Sequence, residues 1–525
     1  MKSIPPCGPW TNWPIGSIAM KTGKRRFWPG SRRGPSRASE EACSTMGIDE
    51  GVRRPRGTNR DGWESELDFA ELERIFPRYV GPGPRYTSYP TVPVWTGAFE
   101  PDDHARALRA LPSDAEISLY AHVPFCASLC HFCACNRVIT RDPDLPERYL
   151  QTIEAELDLA RAELPGRLRC GQLHWGGGTP THLHPRQIER LFRAMSDRFD
   201  LVPGAEISIE VDPRVTTAEQ VDVLADCGFN RISLGVQDTN EETQRAIHRI
   251  QPFSMTRGLT ERARARGIER VNYDLIYGLP HQTVESFAGT LDEVLSARPD
   301  RIALYGYAHV TWVAKQQRGF ERGDLPDPAR RIEIFLSAIR RLADAGYRAI
   351  GMDHFALPED ELARALDSGT LRRNFMGYTT REGVDVLAFG PSAISETRDA
   401  YVQVEKDLPR WFAEVEAGRL ATTRGIWLTP DDRARRWIIG RIMCEARLSA
   451  AEVEGRFGGC FRDDFAAALD RLRALEKDGL VELSENGDLV VTGVGRVLLR
   501  HVAMAFDAHL DPEAAQSART FSQTV

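Results

Sequence analysis

The chain has 525 residues, a formal net charge of −7, 42% hydrophobic residues and 27% charged residues. This length is sufficient for two or three domains of about 100–200 residues each. No apolar run approaches the ~20 residues that a membrane-spanning helix needs, so we expect no membrane partner.

The first 60 residues differ in composition from the rest of the chain. They contain twelve Lys or Arg and four Asp or Glu, and they are rich in Pro, Gly, Ser and Arg without helical periodicity. This composition predicts a disordered basic extension over residues 1–60. An organellar transit peptide, a nucleic-acid-binding tail and a start of translation at Met46 remain alternatives.

Strand-like apolar runs alternate with amphipathic helix patterns from residue 117 onward. The predicted strands are Ile117 to Val123, Gly171 to Trp175, Glu206 to Asp212, Arg231 to Val236, Val271 to Gly278 and Arg301 to Ala308. Helices are predicted between them, at Glu147 to Glu163, Gln187 to Arg198, Ala218 to Cys227 and Val284 to Ala297. This alternation indicates an α/β fold with a parallel sheet. We predict six β/α units that form a partial barrel over residues 116–355, with residues 61–115 packed on it.

The last third of the chain has a different pattern. A helix over Asp327 to Gly346 and a strand over Tyr347 to Met352 precede a mainly helical C-terminal domain, which we assign to residues 356–525. Its part from Phe465 to Arg500 is predicted as helix, turn, strand pair and helix, which is typical of a winged-helix-like module. This part is not strongly basic, so we expect a lid or packing role and no nucleic-acid partner.

Three closely spaced cysteines follow the first predicted strand. Three residues separate Cys126 from Cys130, and two separate Cys130 from Cys133. Three thiolates can bind three irons of a 4Fe-4S cluster and leave the fourth iron open for the amino and carboxylate groups of S-adenosyl-L-methionine. The spacing is that of the radical S-adenosylmethionine superfamily, and Phe132 stands before the third cysteine, where that superfamily packs a ring near the adenosyl group.

The cysteine loop has two other interpretations, a zinc site and a fully cysteine-ligated cluster. Zinc sites usually combine two separated Cys-x-x-Cys units, and no second unit occurs downstream, which disfavours zinc. A fully cysteine-ligated cluster that includes Cys135 remains open. The one-residue gap from Cys133 to Cys135 is tight for two ligands of one cluster, so we interpret Cys135 as a non-ligand. Thiolates of this kind need a reducing environment, and we expect a cytoplasmic protein.

Glycine or polar residues recur just past the predicted strands, where such folds place their chemistry. Gly177 and Gly178 allow the backbone to approach a ligand closely, although a tight turn explains them equally well. Glu210 can accept hydrogen bonds from ribose hydroxyls or from an amino group.

Three further residues, two near strand ends and one on the helix after the fourth strand, suit a nucleoside ligand that carries a carboxylate. Arg249 can bind a carboxylate bidentately. Gln237 and Asp274 can bind a ribose diol, and Asp274 interrupts an apolar strand, where a buried charge must be paired or hydrogen-bonded.

Longer motifs support a more specific resemblance. They are Gly83-Pro-Arg-Tyr-Thr-Ser-Tyr-Pro-Thr91, the cysteine loop that ends in Cys135-Asn136, Leu173-His-Trp-Gly-Gly-Gly-Thr-Pro-Thr181, Ile209-Glu-Val-Asp-Pro213, Gly235-Val-Gln-Asp238, Asp274-Leu-Ile-Tyr-Gly-Leu-Pro280, Gly351-Met-Asp-His-Phe-Ala356, Asn374-Phe-Met-Gly-Tyr-Thr-Thr380 and Gly390-Pro-Ser-Ala-Ile-Ser395. Over roughly residues 70–520 the chain resembles the family of oxygen-independent coproporphyrinogen III oxidases, within the radical S-adenosylmethionine superfamily.

The resemblance implies a partial (β/α)6 radical S-adenosylmethionine barrel with a mainly helical C-terminal domain. It also implies a 4Fe-4S cluster on Cys126, Cys130 and Cys133 and two molecules of S-adenosyl-L-methionine. The residues implied for the first molecule are Tyr120, Gly177, Glu210 and Ile394. The residues implied for the second are Phe132, Gly178, Thr179, Gln237, Arg249, Asp274 and Ala308.

The activity implied by the resemblance is oxidative decarboxylation of two propionates of coproporphyrinogen III to vinyl groups through a 5′-deoxyadenosyl radical. The implied partners are this tetrapyrrole and an unidentified electron donor and acceptor, and we expect a monomer. Tyr120 and Arg85 are the candidate catalytic residues, with Arg85 expected to contact substrate carboxylates together with Tyr86 and Tyr378. Met376 departs from the Gln that the family usually has beside the second S-adenosylmethionine.

A haem-chaperone branch of the superfamily and another divergent paralogue, such as a methyltransferase or ring-opening enzyme, are the alternatives. The chaperone branch typically lacks the cysteine that corresponds to Cys135 and much of the C-terminal domain, so the sequence favours the oxidase.

Overall fold

The structure is a computed structural model that describes residues 69–312, 314–381 and 385–510. The predicted disorder of residues 1–60 lies outside these ranges. The strands of the described residues are β1 (Glu116–Val123), β2 (Phe125–Cys126), β3 (Val138–Ile139), β4 (Arg169–Gly177), β5 (Asp200–Val211), β6 (Arg231–Gln237), β7 (Arg270–Tyr277), β8 (Arg301–Gly306), β9 (Arg348–Ile350), β10 (His354–Ala356), β11 (Arg372–Asn374), β12 (Gly377–Thr379), β13 (Asp385–Phe389), β14 (Ile394–Glu396), β15 (Ala400–Val404), β16 (Thr422–Trp427), β17 (Arg447–Leu448), β18 (Val481–Leu483) and β19 (Leu489–Val491).

Helices connect these strands and form most of the C-terminal part. They are α1 (Phe69–Ile75), α2 (Pro101–Arg109), α3 (Asp144–Glu163), α4 (Pro185–Ser196), α5 (Ala218–Asp226), α6 (Glu241–Ala246), α7 (Phe253–Ala265), α8 (Val284–Ser296), α9 (Pro328–Asp344), α10 (Glu361–Ser368), α11 (Leu408–Glu416), α12 (Pro430–Glu445), α13 (Ala450–Phe457), α14 (Phe461–Asp464), α15 (Ala466–Lys477), α16 (Gly493–Val497) and α17 (Leu499–Met504).

A twelve-stranded sheet forms the centre of the described structure, with the strand order β16-β15-β14-β13-β1-β4-β5-β6-β7-β8-β10-β9. The six strands predicted from the sequence are β1, β4, β5, β6, β7 and β8, and neighbouring members of this series pair in parallel. At least one helix lies between each pair along the chain. Parallel strands are covered by helices on a face and are therefore rich in buried apolar residues, which is why the sequence revealed them.

A seventh parallel strand was missed. β13 pairs in parallel with β1, and β14, β15 and β16 continue the sheet in antiparallel fashion. Residues 385–427, which the sequence assigned to the C-terminal helical domain, thus add four strands to the barrel sheet beyond the expected limit at residue 355. All five residues of β13 are buried. A short apolar run of this kind cannot be distinguished from a buried helix segment by periodicity.

The remainder of the C-terminal part matches the winged-helix-like pattern. Helix α15 is followed by the antiparallel strands β18 and β19, which form a three-stranded sheet with β17, and then by α16 and α17. Among the described residues, no helix is long and apolar enough to cross a membrane.

The segment before β1 contacts several parts of the fold. Leu72 and Ile75 of α1 are completely buried in the main core. The Tyr79 hydroxyl donates to Asp478 Oδ2 at 2.5 Å. Trp95 stacks on Tyr401 of β15, with 5.2 Å between the ring centroids. The N-terminal segment therefore ties the winged-helix-like part to the barrel sheet.

Candidate active site

The cysteine loop lies at the carboxyl end of β1 and is closed by a short parallel ladder. Cys126 in β2 pairs with Ile139 in β3. The Val138 amide donates to the Pro124 carbonyl at 2.7 Å. Residues 127–137 are therefore held as a closed loop at the edge of the sheet where the carboxyl ends of the parallel strands meet.

A cavity of about 230 Å³ opens beside this loop. It is lined by twelve residues that the sequence singled out: Cys126, Cys130, Phe132, Cys133, Cys135, Gly177, Gly178, Thr179, Glu210, Gln237, Arg249 and Asp274. Sequence reasoning assigned no role to the other lining residues, which are Ser128, Arg137, Val211, Asp212, Arg214, Ser233, Gly235 and Tyr305. The structure thus brings together the three predicted metal ligands and eight of the eleven predicted cofactor-binding residues.

The glycines at the end of β4 allow close backbone approach to the cysteine loop. Gly177 has a φ of +118°, and a Cβ on Gly178 would lie 2.6 Å from the Pro124 carbonyl oxygen. The Gly178 amide donates to the Val123 carbonyl at 2.8 Å. Any larger side chain at position 178 would displace the loop backbone, so the motif positions the cysteines in addition to forming a turn.

Two arginine side chains contact the sulfur of Cys130. Arg214 Nη2 lies 3.3 Å and Arg249 Nη1 lies 3.6 Å from the Cys130 sulfur. Asp212 pairs with both guanidinium groups, at 2.6 Å from Arg214 and 3.1 Å from Arg249. Burial opposes ionisation of Asp212, but the two arginines outweigh it and lower the pKa of that carboxyl. Asp212 and Arg214 were missed, although both closely follow Glu210 at the end of the third predicted strand.

Glu210 is held by hydrogen-bond donors from β4. The Gly177 amide donates to Glu210 Oε2 at 3.3 Å, and His174 Nε2 lies 3.6 Å from Oε1. Burial raises the pKa of Glu210, but His174 outweighs that effect, so the net pKa is lowered. Tyr120 stacks on His174, with 5.9 Å between centroids, and its hydroxyl lies 3.2 Å from His122 Nδ1. Tyr120 is therefore adjacent to Glu210 but does not line the cavity.

Asp274 and Gln237 lie on neighbouring strands of the cavity wall. Asp274 accepts hydrogen bonds from Ser233 Oγ and Asn272 Nδ2, both at 2.9 Å. Burial, reinforced by the charge of Glu210, raises the pKa of Asp274 to about 6. Gln237 has a φ of +67°, a left-handed backbone conformation that is costly for a residue with a side chain and that clusters at functional sites.

Two predicted cofactor contacts lie elsewhere. The Ala308 carbonyl accepts a hydrogen bond from Gln317 Nε2 at 3.0 Å, in the loop after β8. Gln317 also donates to the Phe132 carbonyl at 2.8 Å, so this loop borders the cysteine loop. Ile394 lies in β14 and packs with Trp95 and Tyr401. Neither Ala308 nor Ile394 lines the cavity, and their contacts with S-adenosylmethionine remain predictions.

Arg85 lies at the end of β8, where its Nη2 donates to the Gly306 carbonyl at 3.1 Å. The two tyrosines expected beside it have other partners. The Tyr86 hydroxyl donates to Asp507 Oδ2 at 2.9 Å, and the Tyr378 hydroxyl donates to the Met443 carbonyl at 3.2 Å. Both buried hydroxyls thus have internal acceptors, and a carboxylate site that these tyrosines share with Arg85 remains a prediction.

The donor set fits an iron–sulfur cluster better than a single ion. Nowhere in the described ranges do three His, Cys, Asp or Glu side chains converge as a single metal ion requires. In a 4Fe-4S cluster each cysteine binds a different iron, so the sulfur atoms do not have to meet at one point. The Cys135 thiol and amide lower the pKa of Cys133, whereas burial raises the pKa of Cys126 to about 11. The guanidinium groups of Arg214 and Arg249 offset the negative charge that thiolates and a cluster would bring.

A parallel barrel sheet that holds three such cysteines at its carboxyl edge defines a radical S-adenosylmethionine protein. Residues 120–294 match the family model of the Radical SAM superfamily, and residues 428–498 match that of the HemN C-terminal domain. The chain belongs to the family of oxygen-independent coproporphyrinogen III oxidases.

Known members of that family match most of the chain. The chain is 44% identical to the oxygen-independent coproporphyrinogen III oxidase of Salmonella typhimurium over 440 residues, which are 84% of this chain and 96% of that protein. Identity to the Pseudomonas aeruginosa protein of the same name is 42%, with 83% and 95% covered. The solved structure of coproporphyrinogen III oxidase (HemN) from Escherichia coli, a radical SAM enzyme, matches with a TM-score of 0.79 and 42% identity over 81% of this chain and 98% of that one.

Proposed function

We propose that this chain catalyses the oxygen-independent oxidative decarboxylation of two propionates of coproporphyrinogen III to vinyl groups, which gives protoporphyrinogen IX. The main support is the single cavity that joins the three-cysteine loop to the polar strand ends of the barrel. The Salmonella typhimurium and Pseudomonas aeruginosa relatives that carry this name are 44% and 42% identical over more than four fifths of the chain.

The reaction requires chemistry that side chains alone do not supply. A propionate becomes a vinyl group when its β-carbon loses a hydrogen atom, carbon dioxide leaves, and one electron passes to an acceptor. When bound, the 4Fe-4S cluster and S-adenosylmethionine supply a primary alkyl radical that is able to break the strong carbon–hydrogen bond.

The protein has to hold the reactants in place. Cys126, Cys130 and Cys133 are the cluster ligands in this proposal. Arg249 is the candidate contact for a methionyl carboxylate, and Glu210 and Asp274 are suited to hydroxyl or amino groups because their carboxyls lie in the cavity wall. We propose two S-adenosylmethionine molecules, as the family resemblance implies.

Two observations favour the oxidase over the haem-chaperone alternative. Cys135 is present beside the three ligands, at a position where the chaperone branch typically has no cysteine, and the relatives named as oxidases are matched over 95–96% of their length. We further propose that the protein acts as a monomer in the cytoplasm, where a reducing environment preserves the thiolates.

The test is an anaerobic incubation of reconstituted protein with coproporphyrinogen III, S-adenosylmethionine and a reductant. Protoporphyrin fluorescence after oxidation of the products should appear with the unaltered chain and be absent with Cys130→Ala. A methylated or ring-opened tetrapyrrole in place of protoporphyrin would favour the divergent paralogue.

A further inference from the structure

A second cavity of about 50 Å³ lies beside the cofactor cavity. Tyr305 lines both, so the two cavities are neighbours. A cavity needs roughly 10–15 Å³ to hold one water molecule. The second cavity therefore has room for a few atoms but not for a tetrapyrrole ring. Its size suits the carboxylate end of a flexible side chain.

Three arginines from distant parts of the chain line this cavity. Arg85 comes from the N-terminal segment, Arg331 from α9 and Arg500 from α17. One carboxylate, Asp353, also lines it, and Asp353 Oδ1 is already bonded to His354 Nδ1 at 2.7 Å. The described lining therefore carries more positive than negative charge.

Burial, and to a lesser degree mutual repulsion, disfavours the charged forms of Arg331 and Arg500. Burial, with the nearby charge of Arg85, lowers the pKa of Arg500 to about 9. Burial also lowers the pKa of Arg331, and Arg85 contributes to that shift. A carboxylate that enters such a site favours the charged form of each guanidinium group and relieves their repulsion.

The cavity also contains an unused hydrogen-bond donor. Arg331 Nη2 donates to the Tyr307 carbonyl at 2.7 Å, but the buried Arg331 Nε has no partner in the described structure. Two glycines leave space for this side chain. A Cβ on Gly306 would lie 2.9 Å from Arg331 Nη2, and one on Gly278 would lie 3.1 Å from Nε. A buried donor without a partner is unfavourable, so this nitrogen is available to a hydrogen-bond acceptor of a ligand.

We propose that Arg85, Arg331 and Arg500 bind one propionate carboxylate of the tetrapyrrole while another propionate reaches the cofactor cavity past Tyr305. This inference rests on the proposed function. It extends that function by assigning a substrate-anchoring site, which would determine which propionate is presented for reaction.

The test is the equilibrium affinity of anaerobically reconstituted protein for coproporphyrin III, the fluorescent aromatic counterpart of the substrate. Arg331→Gln removes a charged donor and should weaken binding about tenfold or more. Arg331→Lys keeps the charge and should lose less. The matched control is Arg436→Gln, because Arg436 is also half-buried, donates to the Thr397 carbonyl at 2.9 Å and lies 5.7 Å from a tyrosine ring. The affinity of the Arg436→Gln variant for coproporphyrin III should equal that of the unaltered chain.

Two further measurements keep the proposal open to refutation if Arg331→Gln does not fold. Arg85→Gln should weaken binding similarly, and the unaltered protein should bind the tetramethyl ester of coproporphyrin III at least tenfold less tightly than the free acid. Unchanged affinity in a folded Arg331→Gln or Arg85→Gln, an equal loss in Arg436→Gln, or equal affinity for acid and ester would overturn the proposal. A failure of the proposed function can be distinguished from a failure of this anchoring site. In the first case the unaltered enzyme shows no turnover, whereas in the second it turns over and the arginine variants bind coproporphyrin III normally.

Discussion

Arg249 donates to both oxygens of the Asp212 carboxylate, through Nη1 to Oδ2 at 3.1 Å and through Nη2 to Oδ1 at 3.2 Å. The same guanidinium donates to the Gly235 carbonyl at 2.7 Å and lies beside Cys130. Arg249 is thus fixed in the cavity wall before any ligand arrives. A preorganised guanidinium loses little freedom when it binds a carboxylate.

Removal of Arg249 should weaken the binding of S-adenosylmethionine. Arg249→Ala eliminates a charge-assisted hydrogen bond worth about 1.5–3 kcal/mol, so the dissociation constant should rise about tenfold or more. Equilibrium binding under anaerobic conditions measures this.

The control for that measurement is Arg257→Ala on α7, because Arg257 is exposed and bonds to Ser296 at 2.8 Å. Asp212→Asn removes the carboxylate that fixes this guanidinium, so the affinity should fall, although by less than in Arg249→Ala. A single saturable site with the same affinity in all variants would refute the assignment of Arg249.

The cysteine assignment predicts a difference between neighbouring thiols. Cys130→Ala should abolish the cluster and the formation of 5′-deoxyadenosine, because only two of the three cysteine ligands remain. Cys135→Ala should retain the cluster. Iron and sulfide analysis after anaerobic reconstitution distinguishes them, and a full cluster in Cys130→Ala would show that the ligands were misassigned.

Asp274 should make the stability of the apoprotein depend on pH. Its pKa is raised to about 6, so the folded state holds the proton more tightly than the unfolded state. The stability that this group contributes is complete below the unfolded pKa near 4 and is lost as the pH rises through 6. Asp274→Asn is insensitive to this loss. Its stability relative to the unaltered chain should increase by about 1–2 kcal/mol between pH 5 and pH 8.

Denaturant unfolding of apoprotein at the two pH values tests this expectation. The substitution preserves the hydrogen bonds, since Ser233 Oγ can accept as well as donate. A difference between the two proteins that does not change with pH would mean that Asp274 is ionised throughout this range.

Much of the barrel could be predicted because parallel strands leave a clear sequence signal. β1 and β4 to β8 are apolar runs followed by polar or glycine residues, and the parallel order of the sheet places those residues at one edge. This is why Gly178, Glu210 and Asp274 meet in one cavity although the sequence separates them widely.

Contacts between distant segments could not be predicted in the same way. Nothing near Arg331 or Arg500 in the sequence indicates that α9 and α17 meet at Arg85. The sequence around each of these two arginines is like that around an arginine on the exposed face of a helix. Met376 lies in the turn between β11 and β12, where its amide donates to Asn374 Oδ1 at 2.9 Å, and it does not line the cavity. Its place beside the second S-adenosylmethionine, which the family resemblance implies, remains a prediction.

The composition of residues 1–60 predicts that they are dispensable. A chain that begins at Gly62 should fold, bind its cluster and retain activity, because the described core begins with α1. Soluble yield, iron content and turnover of the shortened chain test this. A loss of cluster content would show that the basic segment contributes to the fold.

Removal of a hydrogen atom from the propionate β-carbon of coproporphyrinogen III can be followed directly. The measurement uses substrate deuterated at that carbon, with mass spectrometry of the 5′-deoxyadenosine formed under anaerobic conditions. We expect 5′-deoxyadenosine that carries one deuterium atom, together with protoporphyrinogen IX. Unlabelled 5′-deoxyadenosine and unchanged coproporphyrinogen III, from protein with a complete cluster, would contradict it.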